Sequence, residues 1–225
     1  MLISALVAED GVAVIEFHSA DRIVKELHYD SIYHEHLFYF SLTTLLSLCA
    51  RYGLHAFDVF DSPISGGALV LLLSATDRGP SVTLRDRLVD ESIARVNDLE
   101  TWTRFALDSR AHSEALTALM RERSARGRVL GYGASARSST MLNFAGIDSN
   151  QIHAVVDRNE MKHGRLMPGS AIPVVSPEEG RELLVDSDAV VLLAWNFASE
   201  VVEQLRDDGY EGNIILPLPN EPRLV

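Results

Sequence analysis

The 225-residue chain is long enough to bury a sizeable core in one or two domains, and 47% hydrophobic and 23% charged residues are usual for a globular protein. Its 32 acids against 20 bases leave a net charge of −12, which excludes general nucleic-acid binding, because neutralising phosphates requires clustered Lys and Arg. One small anion site stays open to such a chain, since helix N-termini and backbone amides hold phosphate without net positive charge.

The single cysteine, Cys49, excludes a disulfide or Cys-based metal site within the chain, and in its apolar stretch it reads as a buried small hydrophobe. The apolar N-terminal residues lack a basic flank and are interrupted by Glu9-Asp10, so no signal peptide is predicted. No run reaches the roughly 20 apolar residues of a membrane span. The expected location is cytoplasmic, with no membrane or nucleic-acid partner.

In chain order, residues 4–8 read as the end of a helix, Asp10-Gly11 as a turn and 12–17 as a buried strand, so the chain enters in the middle of an αβ pattern. A short amphipathic helix over 21–27 leads into an aromatic, His-rich segment. Residues 42–52 read as a helix closed by Gly53, and 55–60 and 69–74 as strands joined by a loop of turn formers over 61–67. Apolar residues at three- and four-residue spacing predict a long helical region over 81–124, whose stripe serves packing. From Arg128 strands and helices alternate. Strands are predicted at 128–132, 153–156, 189–195 and 213–216, and helices at 138–145 and from the third strand through Leu205. That alternation implies α/β architecture: a Rossmann-like parallel sheet with flanking helices, preceded by a long helix and a small α+β segment.

Two motifs carry chemistry. Gly131-Tyr132-Gly133-Ala134-Ser135-Ala136, after a strand and before a helix, has the context of a dinucleotide fingerprint, and Asp157 closes the next strand where a ribose-binding acid sits. Arg137 and Ser138 at the helix start suit a phosphate. A turn that serves only packing and an NAD site both remain open on this pattern. Lys162-His163-Gly164-Arg165 is a basic loop, either solvated or reaching the same anion. Asn196 follows a strand end, where open α/β sheets bind ligands, or caps the next helix.

The second motif is Tyr33-His34-Glu35-His36, flanked by Tyr29, Phe38, Tyr39 and Phe40. It is not the zinc motif H-E-x-x-H, because Phe38 stands at the second His, and no third ligand completes a His-x-His site, so no metal is expected. Lone histidines such as His55, His112 and His153 read as core or surface residues. In the cluster, a His can remove and return a proton near neutral pH, a Glu can orient it and stabilise its cation, and a Tyr hydroxyl can donate to an enolate oxygen. The set fits proton abstraction beside a carbonyl.

With Asp30-Ser31-Ile32-Tyr33-His34-Glu35-His36-Leu37, Gly131-Tyr132-Gly133-Ala134, Asp157-Arg158-Asn159 through Pro168-Gly169 with Ile172-Pro173, and Leu193-Ala194-Trp195-Asn196-Phe197 in that order, the chain resembles the C-terminal half of the sugar C-methyltransferases. These enzymes methylate a carbon of a dTDP-linked keto-deoxysugar with S-adenosylmethionine. The resemblance implies that His36 is the base, with Tyr33 and Glu35 supporting the enolate and the imidazolium. It implies a nucleotide-sugar site involving Gly131, Gly133, Arg137, Ser138, Asp157, Lys162 and Asn196. It also implies four segments: a remnant of the methyl-donor domain over 1–20, a catalytic-base segment over 21–80, a connecting helical region over 81–125 and a Rossmann-like nucleotide-sugar domain over 126–225. The family's zinc-binding segment and most of its methyl-donor domain have no counterpart here. Ser65-Gly66-Gly67-Ala68-Leu69-Val70 replaces a His and an Arg of the family pattern, and Arg137 stands where relatives carry Lys. The expectation is a substrate-binding and catalytic-base portion, inactive alone, whose partner is a dTDP-linked sugar and, where the gene is split, a separate chain supplying the donor domain. The alternatives are a non-catalytic nucleotide-sugar-binding or interaction module and an NAD-dependent oxidoreductase.

Overall fold

The computed structural model describes residues 2–63 and 66–225, so Ile64 and Ser65 of the predicted loop, including the position where the family pattern has His, lie outside the described residues. The chain forms two compact units. One comprises Met1–Lys25 and Leu37–Phe105, the other Glu26–His36 and Ala106–Val225.

The first unit carries α1 (Leu2–Leu6), β1 (Ala13–Phe17), α2 (Ala20–Lys25), α3 (Leu42–Ala50), β2 (His55–Ser62), β3 (Ala68–Ser74), α4 (Val82–Ala94) and the start of α5 (Leu99–Arg126). Its sheet has the order β1-β3-β2 and is antiparallel throughout. Side chains alternate along β3, so Leu69, Leu71 and Leu73 share one face and join Leu42, Leu45 and Cys49 of α3 and Leu84 of α4 in a core. Cys49 is the buried hydrophobe expected, and burial pushes its thiol pKa up. The opposite face of β1 is open: Val14 is 61% exposed, so β1 is an edge strand buried on one side and not the buried strand predicted. The expected long helix is two. Arg95 takes a left-handed conformation (φ 52°) after α4, and its guanidinium pairs with Asp98 in the connection and with Glu100 in the first turn of α5.

The N-terminus of α3 is closed twice. Ser41 accepts from the Thr44 amide in a capping box, and the buried Glu91 carboxylate of α4 accepts from the Leu42 and Thr43 amides at 2.6 and 2.9 Å.

The second unit holds β4 (Arg128–Tyr132), α6 (Ala136–Ala145), β5 (Ala154–Val156), β6 (Val174–Val175), α7 (Pro177–Leu184), β7 (Ser187–Leu192), α8 (Ala198–Asp207), β8 (Asn213–Leu216) and β9 (Arg223–Leu224). The sheet order is β6-β5-β4-β7-β8-β9, parallel except for β9. Val129, Leu130, Val155, Val190, Val191, Ile214 and Ile215 are buried, as strands covered on both faces require. Strand succession runs outward from β4 to β6 and then resumes on the other side of β4 with β7. The chain therefore reverses direction between β4 and β7, and ligands of such sheets bind in the crevice at the carboxyl ends of those strands. The sequence reading lacked β6, α7 and β9. No helix among the described residues is long and apolar enough to cross a membrane.

Replacing Glu91 by Gln removes the charge that holds two amides of α3. We expect a loss of about 1–3 kcal/mol of unfolding free energy, read as a lower urea midpoint at unchanged slope.

Candidate active site

Residues 26–36 pack as part of the second unit. His28, Tyr29, Asp30 and Ser31 are all buried although three of them are polar and one is a phenol. Each has a reason to be there. Asp30, 0% exposed, accepts from Arg137 Nε and Nη2, both at 2.9 Å, and from Trp195 Nε1 at 2.8 Å. The Arg137 guanidinium lies over the Trp195 ring at 4.8 Å, and the His28 ring packs 4.8 Å from the same indole. Ser31 Oγ donates to the His28 carbonyl, closing the turn Tyr29–Ser31. His112 Nε2 donates to the Pro217 carbonyl at 2.7 Å, which leaves Nδ1 to accept from the Tyr29 hydroxyl at 3.0 Å. Burial lowers the His112 pKa against the pull of the Pro217 bond, in keeping with a neutral ring, and burial followed by the Asp30 charge raises that of Tyr29.

Beyond this anchor the side chains turn outward. The His36 amide donates to the Tyr33 carbonyl at 3.0 Å, forming a tight turn that leaves His34, Glu35 and His36 exposed. Across the turn the Tyr33 hydroxyl and His36 Nε2 are 3.1 Å apart, with the two rings edge to face at 88°. Burial raises the Tyr33 pKa, the Glu35 and Asp30 carboxylates add to the rise and Arg137 opposes it, so the phenol keeps its proton through neutral pH. A protonated phenol next to an imidazole nitrogen is a donor and a base held within one hydrogen bond of each other.

The Gly turn lies at the carboxyl end of β4. A Cβ on Gly131 would stand 2.9 Å from Leu193, and one on Gly133 (φ 98°) would stand 2.5 Å from the Ala194 Cβ. Both glycines thus permit β7 to close on β4. Ser138, fully buried, completes a capping box with Ser135 and donates to the Gly133 carbonyl at 2.8 Å. Asp157 accepts from the Ala134 amide at 2.7 Å, the Asn159 amide at 2.8 Å and Lys162 Nζ at 3.0 Å, and Lys162 also donates to the Ala134 carbonyl at 2.7 Å. Burial works to raise the Asp157 pKa, but the bonds from Asn159, Lys162 and Ala134 outweigh it and hold the carboxyl below its ordinary value. The acid and the lysine expected at a ligand therefore strap the turn itself.

A cleft of about 250 Å³ opens at the β4–β7 reversal, lined by Gly133, Asp157, Arg158, Phe197 and Glu200 among others. Of the residues that the sequence pointed to, Gly133 and Asp157 reach it. Gly131 and Ser138 serve packing and capping, Arg137 is engaged by Asp30, and Asn196 sits half-buried in the turn Trp195–Phe197 beside it. Arg158 and Phe197, which line the cleft, and Asp30 and Trp195, which anchor the His-rich segment, carry no role in the sequence reading, although all four stand inside the quoted motifs. Among the described residues no group of three or more His, Cys, Asp or Glu could hold a metal ion.

Because the folded Asp157 carboxylate ionises at lower pH than the unfolded one, its stabilisation is complete above the ordinary value of about 4 and is lost as pH falls through the folded value. Asp157→Asn should cost about 1–3 kcal/mol near neutral pH, and the deficit should shrink in acid. Urea titrations at both pH values check this; an unchanged deficit would disprove the linkage.

A family model of the C-methyltransferase C-terminal domain matches residues 63–219. The C-methyltransferase NovU of Streptomyces niveus is 32% identical over 229 residues, an alignment that covers 99% of this chain and 53% of NovU. The chain thus spans about half the length of that relative. The family match takes in the whole parallel sheet except β9, and the NovU alignment extends over the His-rich turn and its buried anchor. On these grounds, the chain belongs to the C-methyltransferase C-terminal domain family.

Proposed function

We propose that the chain binds a nucleotide-linked keto-deoxysugar, with dTDP as the nucleotide, and enolises it for C-methylation. The observation that carries this reading is the Tyr33–His36 pair, 3.1 Å apart on an exposed turn whose root is fixed by buried hydrogen bonds. In the proposed step His36 Nε2 takes the proton from the carbon beside the ketone. The C–H electron pair becomes the carbon–carbon double bond, and the carbonyl pair moves onto oxygen. The Tyr33 hydroxyl turns from Nε2 to donate to that oxygen, and the exposed Glu35 favours the imidazolium by charge. The cleft at the β4–β7 reversal, with Arg158 for an anionic group and Phe197 for a ring, is the place we assign to the nucleotide.

S-adenosylmethionine is the methyl source that family membership favours, and when bound it supplies an electrophilic methyl group. The Gly131–Gly133 turn does not fit it, since Leu193 and Ala194 fill the space beside the glycines and Asp157 is committed to Ala134 and Lys162. The same two facts disfavour a nicotinamide dinucleotide. We therefore assign the donor to a methyl-donor domain outside this chain's described residues, on a partner chain or a longer polypeptide.

Enolisation is measurable without a methyl donor. In heavy water the chain should exchange the proton beside the ketone of a dTDP-linked keto-deoxysugar, followed by proton NMR. His36→Gln should slow exchange by at least about 100-fold, and Tyr33→Phe by less. A His36→Gln protein that binds the sugar and exchanges at the original rate would sink the base assignment and leave a non-catalytic binding module. In thermal-shift assays dTDP should raise the Tm, and S-adenosylmethionine should leave it unchanged.

A further inference from the structure

We propose that Asp30, held in place by Arg137 and Trp195, is the positioning residue of the His36 base. The proposal rests on the reading of His36 as the base. Asp30 belongs to neither the exposed turn nor the cleft, yet its carboxylate is the most heavily bonded group of the segment. Three N–H donors from two distant elements converge on it: two from the first turn of α6 and one from the turn that follows β7. Those elements flank the β4–β7 reversal, where the nucleotide is assigned.

From Asp30 the geometry passes to the base through a short run of backbone bonds. The Ser31 amide donates to His28, the Ile32 amide to Tyr29, the Tyr33 amide to Ser31 and the His36 amide to Tyr33. These four bonds tie Ser31, Ile32, Tyr33 and His36 to the buried turn, so on this proposal a displacement of Asp30 is carried to the Tyr33–His36 pair. A buried ion pair is a poor device for stability alone, because desolvating both charges consumes most of the attraction. It is a good device for direction. The bidentate fork fixes the plane of the carboxylate, the indole N–H fixes its third contact, and the Trp195 ring gives the guanidinium a cation–π contact at 4.8 Å. Lys in place of Arg137 would keep the charge and lose the fork.

Reaction geometry is sensitive to such support, since misplacement by about 1 Å can cost on the order of 100-fold in rate. The test is the exchange assay in heavy water on Asp30→Asn, Arg137→Lys and Trp195→Phe. The proposal expects the exchange rate at saturating sugar to fall about 10–100-fold in the first two and less in the third, with the half-saturating sugar concentration within about twofold of the original. Should Asp30→Asn fail to fold, Arg137→Lys and Trp195→Phe carry the test. Unchanged rates in folded Arg137→Lys and Trp195→Phe, or a raised half-saturation concentration at undiminished rate, would overturn it. If the unmutated chain binds the sugar and exchanges nothing, the base assignment fails, and positioning is judged from the His36 imidazole resonances. Loss of their Tyr33 ring-current shift in Arg137→Lys supports the positioning role, and retention of that shift refutes it.

Discussion

A single carboxylate without access to water, that of Asp30, ties the His-rich segment to the parallel sheet. At the root of the exposed turn three buried polar groups are paired: Asp30 with Arg137 and Trp195, Tyr29 with His112, His112 with the Pro217 carbonyl. Removing any one partner would strand another in a medium that cannot solvate it. That mutual dependence pins a segment with almost no regular secondary structure at the root of the exposed Tyr33–His36 turn.

The Gly turn shows how one local sequence can serve two purposes that look alike from residue types. Glycines at positions 131 and 133 permit close approach, but the approaching groups are Leu193 and Ala194, so the closure is between two strands of the same sheet. Asp157 and Lys162, an acid and a base that suggested ribose and phosphate, satisfy the amide and carbonyl of Ala134. The consequence is a stiff floor to the cleft. The side chains that line the cleft beside it include those of Arg158 and Phe197.

Much of this was legible in the sequence for physical reasons. Parallel strands covered on both faces read as short apolar runs, and the one over 213–216 coincides with β8. The cluster of Tyr33, Glu35 and His36 was legible because its members lie within one turn, whereas the 3.1 Å approach of the Tyr33 hydroxyl to His36 Nε2 is seen only in the fold. Other features were hidden by their physics. β6 and β9 have two residues each, too few for any period. α7 carries the start signal Ser176-Pro177-Glu178-Glu179, a cap with Pro at the first helical position, but its apolar face is too short to show a helical period. The break at Arg95 has neither Gly nor Pro to mark it, and ion pairs local to the turn support its left-handed backbone. Asp30 was read as part of a motif and not as a pivot, because its partners are far along the chain.

That separation has a bearing on biogenesis. The bond from Arg137 spans 107 residues and that from Trp195 spans 165, so the polypeptide must surrender the entropy of two very long loops before the carboxylate gains its partners. On the ribosome the N-terminal portion emerges first, and residues 26–36 leave the tunnel while β4, α6 and β7 are still unmade. During that interval His28, Tyr29, Asp30 and Ser31 are hydrated side chains on a nascent strand of no fixed shape. The stretch that carries β4, α6 and β7 thus sets the moment at which a turn encoded about a hundred residues ahead of it becomes anchored.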